Sequence, residues 1–197
     1  MGFWSKLFGT KTSTRNLTGG SPYLPPKKNP IDISFATKFT QKGGKFIYSE
    51  DAKTSDEYFK LILEENHWKN EEILCFDQNL TDRFHLPIQS IDVDTSQFKV
   101  FLIRCEYLIA NKGTILICNH QLMDFKLENL PSFFIVFSGL DNFVSDVSEG
   151  MTNLKNKYTD KLPSNITTLN VKNLSEEKDF LSYGNSAKNL YLLLQED

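Results

Sequence analysis

Apolar residues along this chain fall into short blocks separated by polar, glycine-containing connections, and their spacing changes from block to block. Ile31 to Gln41 has helical spacing and is closed by Gly43 and Gly44, with a strand to follow around Phe46 to Tyr48. Thr54 and Glu57 make a capping box for a second helix ahead of Tyr58, Phe59, Ile62 and Leu63, ending near Asn66. A strand is expected at Ile73 to Phe76, a short helical turn near Leu80 to Phe84, and an extended stretch around Ile88 to Val93. Val100 to Ile103 and Phe133 to Phe137 are continuous apolar runs, as in strands covered on both faces. Asp141 is expected to cap a long helix on which Phe143, Val144, Val147, Met151, Leu154 and Tyr158 share one core-facing stripe. Strands near Ile166 to Val171 and Leu190 to Leu194, with a short helix from Ser175 between them, close the chain. Strand–helix alternation with buried strands predicts a three-layer α/β/α domain over residues 31–197.

Between Cys105 and Cys118 the pattern is different. Two apolar runs, Tyr107 to Ala110 and Ile115 to Cys118, flank a turn of Asn111, Lys112 and Gly113. This is a β-hairpin whose glycine supplies the positive φ of a three-residue connection. Glu106 sits at its lip, where a carboxylate is costly without a task or a partner. Desolvation there raises its pKa toward a value useful for acid/base work. A salt bridge to Arg104 or Lys112 is the structural alternative.

Residues 1–30 read as an arm. Glycines and prolines punctuate it, although Phe3, Trp4, Leu7 and Phe8 share one helical arc at its start. Two turns are too short to be helical alone in water, so residues 1–11 would order only on docking. Folding back onto the domain and weak contact with a membrane or a partner are both open to them.

Charge sharpens the division. The net charge is −3, yet Lys6, Lys11, Arg15, Lys27 and Lys28 make residues 1–31 wholly basic. The body is therefore acidic, which excludes nucleic acid as the main ligand, since phosphate binding needs a concentrated basic face. Cys75, Cys105 and Cys118 are far apart in apolar runs, so they read as reduced core thiols of a cytoplasmic protein. With no Cys-x-x-Cys and only the scattered His67, His85 and His120, neither a metal site nor an iron–sulfur cluster is expected. No apolar run reaches the ~20 residues of a membrane span.

Phosphate-loop, dinucleotide, nucleophile-elbow and paired-histidine motifs are all absent. What remains is a set of polar loops that could converge on a small anionic metabolite. The Asn111-Lys112-Gly113-Thr114 turn offers amides and a cation. Ser164, Thr167 and Thr168 offer hydroxyls, and Gly184, Asn185 and Ser186 offer a close-approach loop before the last strand. His120 is the one histidine near this set. Glu106 is the candidate catalytic residue.

The order of these motifs resembles the LUD (lactate-utilisation) domain family over roughly Ile31 to Asp197. Its pattern has an acidic residue ahead of an Ile-Ala dipeptide and a Gly-Thr-Leu/Ile hairpin, here Glu106, Ile109-Ala110 and Gly113-Thr114-Ile115. Leu130-Pro131 before a strand, a long helix, a Pro-Ser-x-x-Thr segment and a glycine loop before a Leu-Tyr-Leu-Leu-Leu strand follow in the family's order. The family commonly has Gly-Pro-Ser-x-Thr-Ala-Asp-Ile-Glu where this chain reads Leu162 to Leu169 without acids. Its final loop commonly carries a histidine that Gly184 to Lys188 lacks.

The resemblance implies a CoA-transferase-like fold: a mostly parallel, Rossmann-like sheet with an antiparallel hairpin grafted on. It further implies an accessory subunit in oxidation of L-lactate or a related 2-hydroxy acid, beside iron–sulfur oxidoreductase subunits and with no cofactor of its own. The residues leave two other readings open. One is a small enzyme acting on a phosphorylated or CoA-linked metabolite with Glu106 as acid/base; the other is a non-catalytic interaction module.

Overall fold

A computed structural model describes residues 29–172 and 187–196. In chain order these form α1 (Ile31–Gln41), β1 (Lys45–Ser49), α2 (Ala52–Asn66), β2 (Ile73–Leu74), α3 (Gln78–Phe84), β3 (Val100–Arg104), β4 (Tyr107–Ile109), β5 (Thr114–Ile117), α4 (Asn119–Leu122), β6 (Phe133–Gly139), β7 (Phe143–Val144), α5 (Val147–Lys157), β8 (Thr167–Val171) and β9 (Ala187–Gln195). The fold is a three-layer α/β/α arrangement on a mostly parallel sheet.

β9 organises the sheet. Along one edge its residues Asn189 to Gln195 pair in parallel with Phe133 to Gly139 of β6. Its other edge is shared. Ala187 and Lys188 pair with the end of β8, and Tyr191 to Gln195 pair with β1. Beyond β6 lie β3 and then β2, both parallel to it. Beyond β8 the sheet turns antiparallel through β5 and β4, and β7 then adds in parallel to β4. The chain thus has a parallel half and a hairpin half joined at β9.

Three apolar clusters hold these halves together. α1 places Phe35 and Phe39 against one face, with Phe101, Phe134, Leu192 and the inward residues of the hairpin. α2 and α3 cover the other face of the parallel half through Phe59, Ile62, Leu80 and Phe84. α5 packs on the hairpin half through Leu154 against Ile109, Leu116 and Val144. Gly150 makes that last approach close: a Cβ there would lie 3.4 Å from both Ile109 and Leu116.

Helix starts differ from the sequence expectation in two places. The first turn of α2 is capped by Asp51, whose carboxylate accepts the Thr54 amide at 2.7 Å and its hydroxyl at 3.2 Å. Thr54 is therefore the capped residue rather than the cap. Asp141 starts no long helix but sits in a short 3-10 turn, Leu140–Asn142. Phe143 and Val144 extend as β7 because β4 has an open edge: the Ala110 and Asn111 amides donate to the Val144 and Ser145 carbonyls. Only then does Asp146 cap α5, accepting the Glu149 amide.

The stretch 88–93 forms no strand. It follows Pro87 and exposes Ile88 and Ile91, and its one main-chain bond there is a turn from the Val93 amide to the Ser90 carbonyl. The arm's amphipathic start and the helix expected from Ser175 lie outside the described residues. Among the described residues no helix is long and apolar enough to cross a membrane.

Candidate functional site

β3 ends at Arg104, and the chain leaves the parallel half through Cys105 and Glu106 to begin the hairpin. The Glu106 amide donates to the Leu116 carbonyl at 2.9 Å, and Asn142 Nδ2 donates to the Glu106 carbonyl at 2.8 Å. Its main chain is thus fixed on both sides, and its side chain is fully buried. β5 returns to the same end of the hairpin and delivers Cys118, followed by His120 and Gln121 on α4. α5 runs back along the outside of the hairpin and delivers Lys157 and Tyr158.

These groups enclose the Glu106 carboxylate. Oε1 accepts from Gln121 Nε2 at 2.7 Å, from the Tyr158 hydroxyl at 2.9 Å and from Cys118 Sγ at 3.4 Å. Oε2 accepts from Lys157 Nζ at 2.8 Å. Burial alone would raise the pKa, but the donors from Lys157, Gln121 and Tyr158, with the Lys157 charge, hold it below the usual carboxylate range. Glu106 is therefore an ionised carboxylate, whereas desolvation by itself predicts a raised value. Its chemistry is that of a hydrogen-bond acceptor and fixed negative charge, since a lowered pKa weakens it as a base.

The neighbours respond in kind. Burial is the largest influence on Lys157 and lowers its pKa, but the hydrogen bond and charge of Glu106, with Tyr158, together more than offset it and raise the pKa, so the ammonium persists. Burial pushes the Tyr158 hydroxyl up to about 12 and the Cys118 thiol up to about 11, so both stay protonated.

A cavity of about 250 Å³ opens beside this carboxylate, off the carboxyl end of β3. Phe76 and Ile103 form part of its apolar wall, and Asp77, Arg104, His120 and Lys157 supply charged or titratable groups. Asp77 accepts from Arg104 Nε at 3.2 Å and also caps α3 through the Leu80 amide. Crevices off the carboxyl ends of parallel strands are where α/β folds gather ligands.

The predicted site residues divide. Glu106 and His120 line the cavity. The Ser164 carbonyl accepts the Asn119 amide, and Thr167 and Thr168 pair with Ile117 and Leu116, so this segment flanks the same end of the hairpin. None of the three lines the cavity. The Asn111–Thr114 turn is at the opposite end, about three residues or ~10 Å of strand away. It is built against α1, because a Cβ on Gly113 would lie 2.6 Å from the Phe39 nitrogen. Lys38 and Lys42 there donate to the Asn111 and Lys112 carbonyls. The turn's amides and Lys112 are thus kept from Glu106 by hairpin geometry, and Gly113 serves packing. Gly184, Asn185 and Ser186 lie outside the described residues.

The partner of Glu106 is neither Arg104, which pairs with Asp77, nor Lys112, but Lys157. Lys157, Tyr158, Gln121 and Cys118 were not legible as site residues. Tyr158 carried a helical core signal, and Lys157, a basic residue in the last turn of α5, carried no signal of its own. Cys118 and His120 are spaced Cys-x-His just after a strand, a signal that gains meaning only once the hairpin returns them to Glu106. Ligand atoms of Glu106, Cys118 and His120 all lie within 4.8 Å of one another.

A family model described as the LUD domain matches residues 34–190. A solved structure of a DUF162 family protein from Deinococcus radiodurans superposes with a TM-score of 0.60 at 14% identity, over 85% of this chain and 96% of that one. That likeness supports the fold. Among curated proteins no match is found. Because the family model matches most of its length, residues 34–190, the chain belongs to the LUD domain family.

Proposed function

We propose that this chain binds a small 2-hydroxy or 2-oxo acid, of the L-lactate and pyruvate class, in the cavity beside Glu106. It does so as an accessory subunit, and the two electrons released when the hydroxy acid becomes the oxo acid are taken up by an iron–sulfur oxidoreductase partner. The observation that carries this reading is an ionised, fully buried carboxylate at the wall of a small cavity that also holds two cations, Arg104 and Lys157. Each is paired with an acid of the same cavity, Arg104 with Asp77 and Lys157 with Glu106, but both are about half exposed, so their remaining N–H groups suit the ligand's carboxylate. Glu106, held ionised, suits a ligand hydroxyl that donates a hydrogen bond. A volume of about 250 Å³ is at the small end for ligand pockets and favours a three- or four-carbon acid over a CoA ester. The lactate role itself draws on the family's name, and the iron–sulfur partner on what the resemblance to that family implies.

A thermal-shift series tests this reading. L-lactate, 2-hydroxybutyrate and pyruvate should raise the melting temperature of the wild-type chain. Acetyl-CoA and glucosamine phosphate should not, and Glu106→Gln should abolish the response. A response to sugar phosphate or CoA ester alone, or a lactate response unchanged in Glu106→Gln, refutes it.

A further inference from the structure

The thiol of Cys118 has one proton and two acceptors. Sγ lies 3.4 Å from Glu106 Oε1 and 3.1 Å from Gln121 Oε1. Gln121 cannot turn to relieve this. Its Nε2 already donates to Glu106 at 2.7 Å, and its Oε1 accepts the Cys118 amide at 2.9 Å. A buried sulfur facing two oxygens at these distances is an arrangement that a cation satisfies more fully than a single proton.

The third donor is His120, two residues on, whose ring sits 5.2 Å from that of Tyr158 at the cavity wall. Tetrahedral zinc, with bonds of roughly 2.0–2.3 Å, places its ligand atoms about 3.3–3.8 Å apart. The Sγ–Oε1 separation already falls in that range, and all three ligand atoms lie within 4.8 Å of one another. Lys157 occupies the other carboxylate oxygen, Oε2, while Oε1, which also accepts from Gln121 and Tyr158, would exchange its Cys118 donor for the ion.

We infer that Glu106, Cys118 and His120 form a three-ligand site for a divalent ion of the Zn²⁺ class. A thiolate, an imidazole and a carboxylate select such an ion over Mg²⁺ or Ca²⁺, which prefer oxygen alone. Binding exchanges the thiol proton, released to solvent, for the metal. Tyr158 and Gln121 remain as donors that orient the carboxylate. Glu106 and His120 both line the cavity, so the coordination position left by the protein opens on it, as in sites that admit water or a small ligand. This inference does not depend on which acid the cavity takes.

The test is a titration of the metal-stripped chain with Co²⁺, followed by Zn²⁺ displacement in a calorimeter. One Co²⁺ per chain should bind with an intense thiolate-to-cobalt charge-transfer band that Zn²⁺ removes. Cys118→Ala should lose the band, Cys75→Ala should keep it, and His120→Ala should weaken binding at least about tenfold. His120 is exposed, so its variant stays informative even if Cys118→Ala fails to fold. Absence of the band in the wild-type chain, its survival in Cys118→Ala, or unchanged affinity in His120→Ala overturns the inference. A lactate-induced thermal shift without a cobalt band overturns it too, and leaves the proposed ligand class standing.

Discussion

Among the described residues Lys157 is the only charged donor to the Glu106 carboxylate, which has no exposure of its own, so removing it should reveal what that pairing contributes. At 2.8 Å and an effective dielectric near 20, two unit charges attract by about 6 kcal/mol. That is a gross value. The Lys157 side chain is 52% exposed, so solvent screens it and desolvation offsets part of the gain. Losing one partner of a buried pair typically costs about 3–5 kcal/mol. Here Gln121, Tyr158 and Cys118 still face the carboxylate, and Lys157→Met keeps most of the stem, so we expect about 2–3 kcal/mol.

Glu106→Gln should cost less, about 1–2 kcal/mol by the same screening argument. Its amide oxygen can stay at the Oε1 position with three donors, and its NH2 then faces Lys157, which can swing into solvent. The two effects must not add. In the Glu106→Gln background, Lys157→Met should cost below about 1 kcal/mol, because the buried charge it served is gone. Urea denaturation of the four proteins measures this cycle. Equal costs of Lys157→Met in both backgrounds would mean that Lys157 acts through packing, and the electrostatic account of the site would be wrong.

Three further outcomes follow from the same geometry. Gly113→Ala should destabilise by about 2–5 kcal/mol, since a φ of +59° is strained for alanine and the new Cβ meets the α1 backbone at 2.6 Å; calorimetric unfolding within 1 kcal/mol of wild type contradicts this. Asp146→Ala removes the cap of α5 and should cost about 1 kcal/mol, or ~2–4 °C, while leaving the acid-induced thermal shift intact, because Lys157 is at the helix's other end. Cys75, Cys105 and Cys118 are all buried, and burial pushes the Cys105 thiol up to about 12; a bulky aromatic disulfide reagent at pH 8 should therefore label none of them until the chain unfolds, and rapid labelling of the native chain counts against this packing.

Much of the fold was legible because it rests on local rules. Ile31–Gln41 formed as a helix between Pro30 and the glycines, and the runs at Val100 and Phe133 became parallel neighbours whose both faces are covered. The hairpin was legible from its glycine. Its function was harder to read, because one hairpin has two ends and the sequence alone does not say which end meets the rest of the site. Gly113 went to α1 and Glu106 to the cavity.

The misplaced start of α5 has a similar cause. Phe143 and Val144 fit a helical stripe, but β4 had an edge that needed covering, and tertiary pairing overrode the local pattern. Glu106 could be picked out as an expensive carboxylate. Its four donors could not, since they come from the hairpin's return and from a helix some fifty residues away.

The most direct test of the central claim is a crystal structure of the chain grown with L-lactate. The account predicts the acid in the cavity off β3, its carboxylate within hydrogen-bond reach of Arg104 or Lys157 and its hydroxyl directed at Glu106. An acid bound elsewhere on the chain, with this cavity holding only solvent at a saturating lactate concentration, would contradict it.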